Sequence, residues 1–589
     1  MSGTTISTVL GNGITLSLAS ENPVTITGSG AILTNSYVGI LGVSLATPWS
    51  IDNDGKISAT GVGAPHSTTG IGIELEGSGQ ITNGSAGGQQ TYEDALISGE
   101  RFGIFLAGAK DNVTNFGTID ALGHNNVNVI YNGIYVGPST SSSIVNASMI
   151  DTTALIEGAN NGVYDFDFGT ALGNAYVENF GSIIASTKIG SNIYGVALVT
   201  QATVVNHGLI EGYGGINISP LFDGTASPVV IVNSGTISAE GPHALAIRVY
   251  LEGTQSGRLI VDPGAVFDGN IDFSHSESGS TALELASGNG VGTIDGIGSQ
   301  FEYFTTIDFD AGAAWVVSGN SAGLAAGEVI SGFAAGDSII LDGVDATRLD
   351  LSGSEVELVA GTLTYALDLL GAKKAPLLLE ASASASTISE ALAGISIKAG
   401  EFEVVAKGAR ETGDTIAGGT LDLHSGAKVS GMIGFSGTGG TLVIGGTVMP
   451  GHEITGFGAG EKIKLAGVKY VAGASVTVAK DGVVTIEDGG KAYNLNIAGV
   501  VTGETGFKFG PGAILTTTDA AKMGFLTPAA VGTVTPAASV RGADFEVMPG
   551  SVASGWLGSA GRVEGAGRIL LEATLAAGPA VWLDMRGAV

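Results

Sequence analysis

VTNFGTIDA (Val113–Ala121), VENFGSIIA (Val177–Ala185) and IVNSGTISA (Ile231–Ala239) are three writings of one nine-residue theme. Each has an apolar residue, an Asn, a Gly two positions later and an Ile in a Thr/Ser-rich run. Aligned on the asparagine, the theme recurs at Asn53, Asn83, Asn115, Asn146, Asn179, Asn206 and Asn233, at intervals of 30, 32, 31, 33, 27 and 27 residues. Asp262, in LIVDPGAVFDG, takes the next place 29 residues on. Two positions after each stand Gly55, Ser85, Gly117, Ser148, Gly181, Gly208, Gly235 and Gly264. The register survives insertions between copies, so it is more than composition.

A second element lies between the copies: TGIGIEL from Thr69, RFGIFLAG from Arg101, YNGIYVG from Tyr131, NNGVYDF from Asn160, IYGVAL from Ile193 and YGGINI from Tyr213. It is a Gly followed by an apolar alternation of period two, the mark of a short strand. A unit this small cannot bury its apolar face alone, and stacking each copy on the last would bury it. The expected fold is all-β: a right-handed parallel β-helix over about residues 20–280, with about three strands per coil and coils about 4.8 Å apart. Inward Val and Ile would form aliphatic rows. The asparagines would form a side-chain ladder at one corner, where Asn and Gly also tolerate left-handed backbone. Leucine-rich, propeller and hexapeptide repeats have patterns or lengths that do not fit.

Composition agrees. Gly contributes 97 of 589 residues, without the three-residue period of collagen. Charged residues are only 13%, so Ser, Thr, Asn and Gly must cover much of the surface. The net charge of -31 repels nucleic acid and anionic lipid and favours cations. Zero Cys removes disulfides and thiolate sites. A mean hydropathy of +0.36, with no apolar run long enough for a spanning helix, points to buried strands. The amino end, MSGTTISTVLGNGITLSLAS, lacks a basic region and an apolar core, so export without a cleaved N-terminal signal is the expectation.

A different echo marks the second half. VISGFAAGDSIILDGV (Val329–Val344) repeats 124 residues later as EITGFGAGEKIKLAGV (Glu453–Val468), aligning Ile330 with Ile454, Phe333 with Phe457, Asp337 with Glu461 and Leu341 with Leu465. Strand-and-turn patterns follow both, with hairpin signals at Asp481-Gly482 and Asp488-Gly489. The expected organisation is 1–280 β-helix, 281–395 and 396–515 two related β-rich modules, and 516–589 a linker with a C-terminal cap or export signal. The modules either extend the solenoid or pack as β-roll or sandwich units. Between them, Leu377–Gly400 has Ala and Ser content that allows a short helix.

The Asn-Gly beat resembles secreted β-strand-repeat proteins of Gram-negative bacteria, autotransporter-like passengers included. The paired GFAAGDSI/GFGAGEKI segments look like those of type I secreted surface proteins. The resemblance covers about residues 50–515 and implies export and a surface role. The chain departs from it twice: no membrane barrel follows the solenoid, and no GGxGxD run supplies calcium-roll sites.

Candidate sites are few. His66, His124, His207, His243, His275, His424 and His452 are scattered without zinc spacing. Asp165 and Asp167 in YDFDFG, and Asp308 and Asp310 in TTIDFDAG, are two same-face pairs at the edge of turns. The plain reading of such pairs is solvent-facing acids beside a turn; they also suit calcium, with no cofactor firmly assigned, or the carboxylates of a polysaccharide hydrolase or lyase. Tyr131, Tyr135 and Tyr164 lie where a glycan could stack. No catalytic residue is assigned. The leading functional expectation is a non-enzymatic structural protein of a surface layer, filament or matrix, joining copies through its solenoid ends. An adhesin for an extracellular glycan or protein comes next, with inserts such as GVGAPHSTTG and NGSAGGQQTYEDALISGE as recognition loops. A polysaccharide-active enzyme comes last.

Overall fold

The computed structural model describes residues 3–518 except 62–69, 86–93, 122, 124–129, 138–140, 166–173, 188–192, 221–227, 241–244, 276–278, 353–354, 372–373, 480–482 and 501–505; beyond 518 it describes the strands Phe545–Val547, Val552–Ser554, Val563–Gly565 and Arg568–Leu570. Nearly all described regular structure is strand. Two compact units share the chain: Met1–Val344 with Ser352–Glu357 and Leu363–Gly371, and Asp345–Leu351 with Leu358–Thr362 and Ala372–Val589.

The first unit is a parallel β-helix. One coil runs through Asn174–Asn179, Ser182–Ala185 and Tyr194–Leu198; the next runs through Gln201–Asn206, Leu209–Gly212 and Gly214–Ile218. Each strand pairs in parallel with its counterpart one coil away, which generates three sheets. The period-two alternation places every second residue inside. In the first sheet Ile51, Ile81, Val113, Ile144, Val177, Val204, Ile231, Leu259, Leu283, Ile307 and Ile330 stack in one register. Ile57, Ile97, Ile119, Ile156, Ile183, Ile210 and Ile237 stack in the second, and Ile73, Ile104, Ile134, Val163, Val196, Ile216 and Ile247 in the third. All are buried, and each is worth on the order of 2 kcal/mol of transfer free energy. The stack begins at Thr4–Ile6, and the boundary expected at residue 281 lies inside the first sheet, which continues through Ser280–Leu285 and Thr306–Phe309.

Two glycine rows set how closely the coils approach. A Cβ on Gly55, Gly117, Gly181, Gly208 or Gly235 would lie 2.1–2.2 Å from a backbone carbonyl oxygen of the preceding coil. None of these residues, nor any ladder asparagine, has positive φ. The expected left-handed bend is therefore corrected: the corner needs Gly for lack of room, and its backbone is ordinary. Where Ser85 and Ser148 replace the glycine, the corner is looser. There the residue after the Asn takes the positive φ, at Gly84 and Ala147, and Ala95 and Ala154 immediately precede the next strand. The second row is the glycine of the third-sheet strands. A Cβ on Gly72 would meet Gly103 O at 2.5 Å and Ile97 Cγ2 at 2.9 Å, and one on Gly162 would meet Ile183 Cγ2 at 2.5 Å. These glycines let the isoleucine row of the second sheet press against the third.

The second unit has a shorter parallel stack. Glu401–Val405, Thr420–Leu423, Thr441–Ile444 and Lys462–Leu465 pair in order, as do Ser396–Lys398, Thr415–Ala417, Ile433–Phe435 and Ile454–Thr455. Antiparallel elements flank it. Val483–Asp488 and Lys491–Asn496 turn through Gly489 and Gly490, both at positive φ as a two-residue hairpin requires. Leu377–Ser382 and Ala385–Glu390 form a hairpin where a helix was allowed. Its buried Leu377, Leu379, Ser386 and Ile388 follow a period of two, which overrides the weak helix propensity of Ala. The Asp481-Gly482 signal lies outside the described residues.

Candidate functional site

The corner after the first sheet is the most ordered polar feature of the molecule. Asn53 Nδ2 donates to Asn83 Oδ1, and the chain of bonds continues through Asn115, Asn146, Asn179 and Asn206 to Asn233 at 2.7–2.9 Å per step. All seven side chains are buried. The remaining capacity goes to the backbone: Asn115 Nδ2 also donates to Gly117 O and Leu155 O, and Asn115 Oδ1 accepts from the Gly117 N–H. A buried amide with every group paired is stabilising, and aligned bonds polarise one another.

The row stops at Asn233. Val261, not Asp262, stands opposite it, and Asn233 Nδ2 reaches only Val266 O at 3.4 Å. The next corner is two residues longer, so Gly264 leaves the glycine row. It has φ +94° with open space around it, and Ala265 precedes the second-sheet strand instead. Both expectations for this coil are thus corrected by the added length of the turn.

Of the four candidate metal ligands, the three described, Asp165, Asp308 and Asp310, form no group that could hold a metal ion. Asp165 is buried in the third sheet, in register with Val136 of the coil before, and accepts from Thr200 Oγ1 at 2.8 Å. It is an inward acid, not the solvent-facing one its neighbours suggest. Asp167 lies outside the described residues. Asp308 faces outward and accepts from Ser331 Oγ at 2.6 Å. Burial, then Glu284, raises the pKa of Asp310. Among the described residues no group of three or more His, Asp or Glu is placed to hold a metal ion. His66, His124 and His243 lie outside the description. His207 stacks on Phe180 at 4.6 Å and meets Ser234 Oγ at 2.6 Å on the outer corner.

Two outward surfaces stand out in the first unit. On the third sheet Phe105, Tyr135 and Tyr164 stack in register at 5.2 and 5.7 Å, with Phe102 4.8 Å from Tyr135 and the Arg101 guanidinium 4.8 Å over Phe102. Burial pushes the Tyr135 hydroxyl up to about 12. Tyr131 is itself buried. On the first sheet Thr203 pairs with Val230, and Val205 with Val232 and then Ile260. These side chains make a half-buried, repeating β-branched face. The three strands of the first coil hydrogen-bond to the second coil on one side, and Val9 there is 63% exposed.

Buried acids whose role the sequence pattern did not reveal close the turns. Asp111 is buried and accepts from the Gly79 and Gly108 N–H groups at 2.7 and 3.1 Å; burial, against those two bonds, still pushes its carboxyl up to about 6. Asp337 binds the Trp315 and Ala334 N–H groups, and Glu461 binds that of Gly458. The 124-residue echo is this device twice: Gly332 and Gly456 at positive φ, an edge-to-face pair Phe309–Phe333 or Phe435–Phe457, then Gly336 or Gly460 and the acid.

The fold defines a parallel β-solenoid with repeating strands in ordered sheets. Comparison with protein-family models, curated proteins and solved structures yields no match.

Proposed function

We propose that this chain is a non-catalytic structural protein of the cell exterior that assembles with copies of itself into a layer, filament or matrix. The observation that carries the reading is the outward face of the first sheet around Val205, Val230, Val232 and Ile260. These side chains are half-buried, so part of each still reaches solvent, and contiguous apolar surface that reaches solvent marks an interaction site. A face whose rows repeat at the coil spacing suits a partner with the same spacing, and another copy of this chain has it. The ladder and glycine rows support the reading, since continuous hydrogen bonding and close contact from coil to coil resist bending of the stack, as a structural element requires.

The test is analytical ultracentrifugation and electron microscopy of the purified full chain, with and without calcium, beside a Val205→Lys/Val232→Lys variant. The expected result is ordered assemblies of the parent and dispersed, folded variant. A parent that stays monomeric at every concentration, or a variant that assembles equally well, would overturn the reading. A glycan-binding adhesin is the second reading, supported by the Phe105–Tyr135–Tyr164 stack, since aromatic rings on an outer face suit sugar rings. Binding on a glycan array that Tyr135→Ala abolishes would favour it over self-assembly.

A further inference from the structure

In the second unit, Glu403 occupies a position made for an aliphatic residue. It stands opposite Leu378 on one neighbouring strand and Leu421 on the other, and it is 0% exposed. Neither Oε1 nor Oε2 accepts a hydrogen bond from an N–H or O–H of the described residues. What faces it is two more buried acids, Asp414 and Glu411. Asp414 Oδ1 accepts from the Ile395 N–H at 2.9 Å, Glu411 Oε1 accepts from the Asp414 N–H at 2.8 Å, and Glu411 Oε2 has no such partner.

Among the described residues no cation balances them. Lys398 is exposed and paired with Glu401 at 3.4 Å, and Lys407, Arg410 and Lys428 are exposed. On the adjoining strands Glu380 is exposed, Glu390 is half-buried, Glu401 is tied to the Lys398 N–H, and burial raises the half-buried Asp422 against the pull of His424 and Lys464, with Asp350 adding to the rise. Nor do the three make a group that could hold a metal ion. Carboxyl groups that touch in a dry interior repel unless a proton lies between them, and a buried acid without a counter-charge keeps its proton.

We propose that Glu403, Glu411 and Asp414 form a proton-held latch in the second unit: the strands around them stay closed while the cluster keeps its protons and part when base removes them. Burial and the two neighbouring acids push Glu403 up to about 9, burial pushes Glu411 up to about 7, and burial raises Asp414. Each folded value lies above that of the free acid. The folded unit therefore binds more protons than the unfolded chain, and stability falls as pH rises. It is full below about pH 4.5, where both states are protonated, and declines through about 7 for Glu411 and about 9 for Glu403.

The test is hydrogen exchange of the full chain at pH 6 and pH 9, corrected for intrinsic rates, on peptides spanning residues 395–423, with 174–212 as the internal reference. Protection of 395–423 is expected to fall about tenfold or more relative to the reference, one factor of ten per pKa unit of protons lost. In Glu403→Gln, whose neutral amide has no proton to lose, the fall is expected to be much smaller. Equal falls in both proteins, or none in the parent, would overturn the latch. Infrared spectroscopy of the unaltered protein decides the matter even where the variant does not fold. The carboxylic acid C=O band must be present at neutral pH and vanish in base, and its absence at neutral pH refutes the proposal.

Discussion

Two sets of glycines, one within residues 49–240 and one within residues 264–515, are needed for opposite reasons. In the first stretch Gly117, Gly181, Gly208 and Gly235 have ordinary backbone and no space for a Cβ. In the second, Gly312, Gly327, Gly343, Gly437 and Gly439 have ample space and positive φ. Before residue 264 the described positive-φ glycines are Gly3, Gly70, Gly84 and Gly253; the others lie after it. The former requirement is steric and passes from coil to coil, so it enforces a fixed cross-section. The latter is local to each turn, which frees successive turns to differ in length. One part of the chain thus reads as a repeat, and the other as a set of individually shaped bends.

The largest effect that would sharpen this contrast is Gly208→Ala. Its Cβ would meet Gly181 O at 2.1 Å and Phe180 backbone at 2.7 Å, so a loss of about 4 kcal/mol or more is expected in denaturant unfolding. Gly312→Ala, with nothing within 4 Å, should lose only about 1–2 kcal/mol, the strain of left-handed backbone. Gly312→Asn should recover part of that, because Asn tolerates the conformation, while Gly208→Asn should be no better than Ala. Equal losses at both sites would dissolve the distinction.

Asparagine offers a smaller test of the same kind. Asn146→Leu removes the bonds to Asn115 and Asn179 and those to Ala154 O and Ser182 O, and should cost about 2–4 kcal/mol. Asn320→Ala removes the cap of the one-turn helix Ser321–Leu324, which accepts from Ala322 and Gly323, and should cost about 1 kcal/mol. Thermal unfolding of the two variants ranks them. The smallest effect is expected at the outer corner: His207→Ala, which loses a stack on Phe180, should cost about 0.5–1 kcal/mol in the same assay.

The contrast also explains what could be read in advance. The asparagine row was legible because a ladder needs the same side chain in every coil, so chemistry preserves the identity at Asn53 through Asn233 while insertions change the spacing. The aliphatic rows were legible through their alternation. Gly264 misled because two added residues moved the corner without changing the local Asp-Pro-Gly spelling. The 124-residue echo marked Asp337 and Glu461 as equivalent but not their role, and Asp111 and Glu403 were not legible at all, because a buried acid is spelled like a surface one; only the fold brings Gly79 N–H to Asp111 or Leu421 beside Glu403. Asp165 failed for the same reason, its burial being set by Val136 one coil away.

The asparagine row also has a sense. Every amide points the same way, nitrogen toward the next oxygen, so the small dipoles add along the stack. The Asn53 terminus accumulates partial negative charge and the Asn233 terminus partial positive charge. A column polarised in this manner distinguishes its two poles electrically, even where the coils between them are interchangeable in shape.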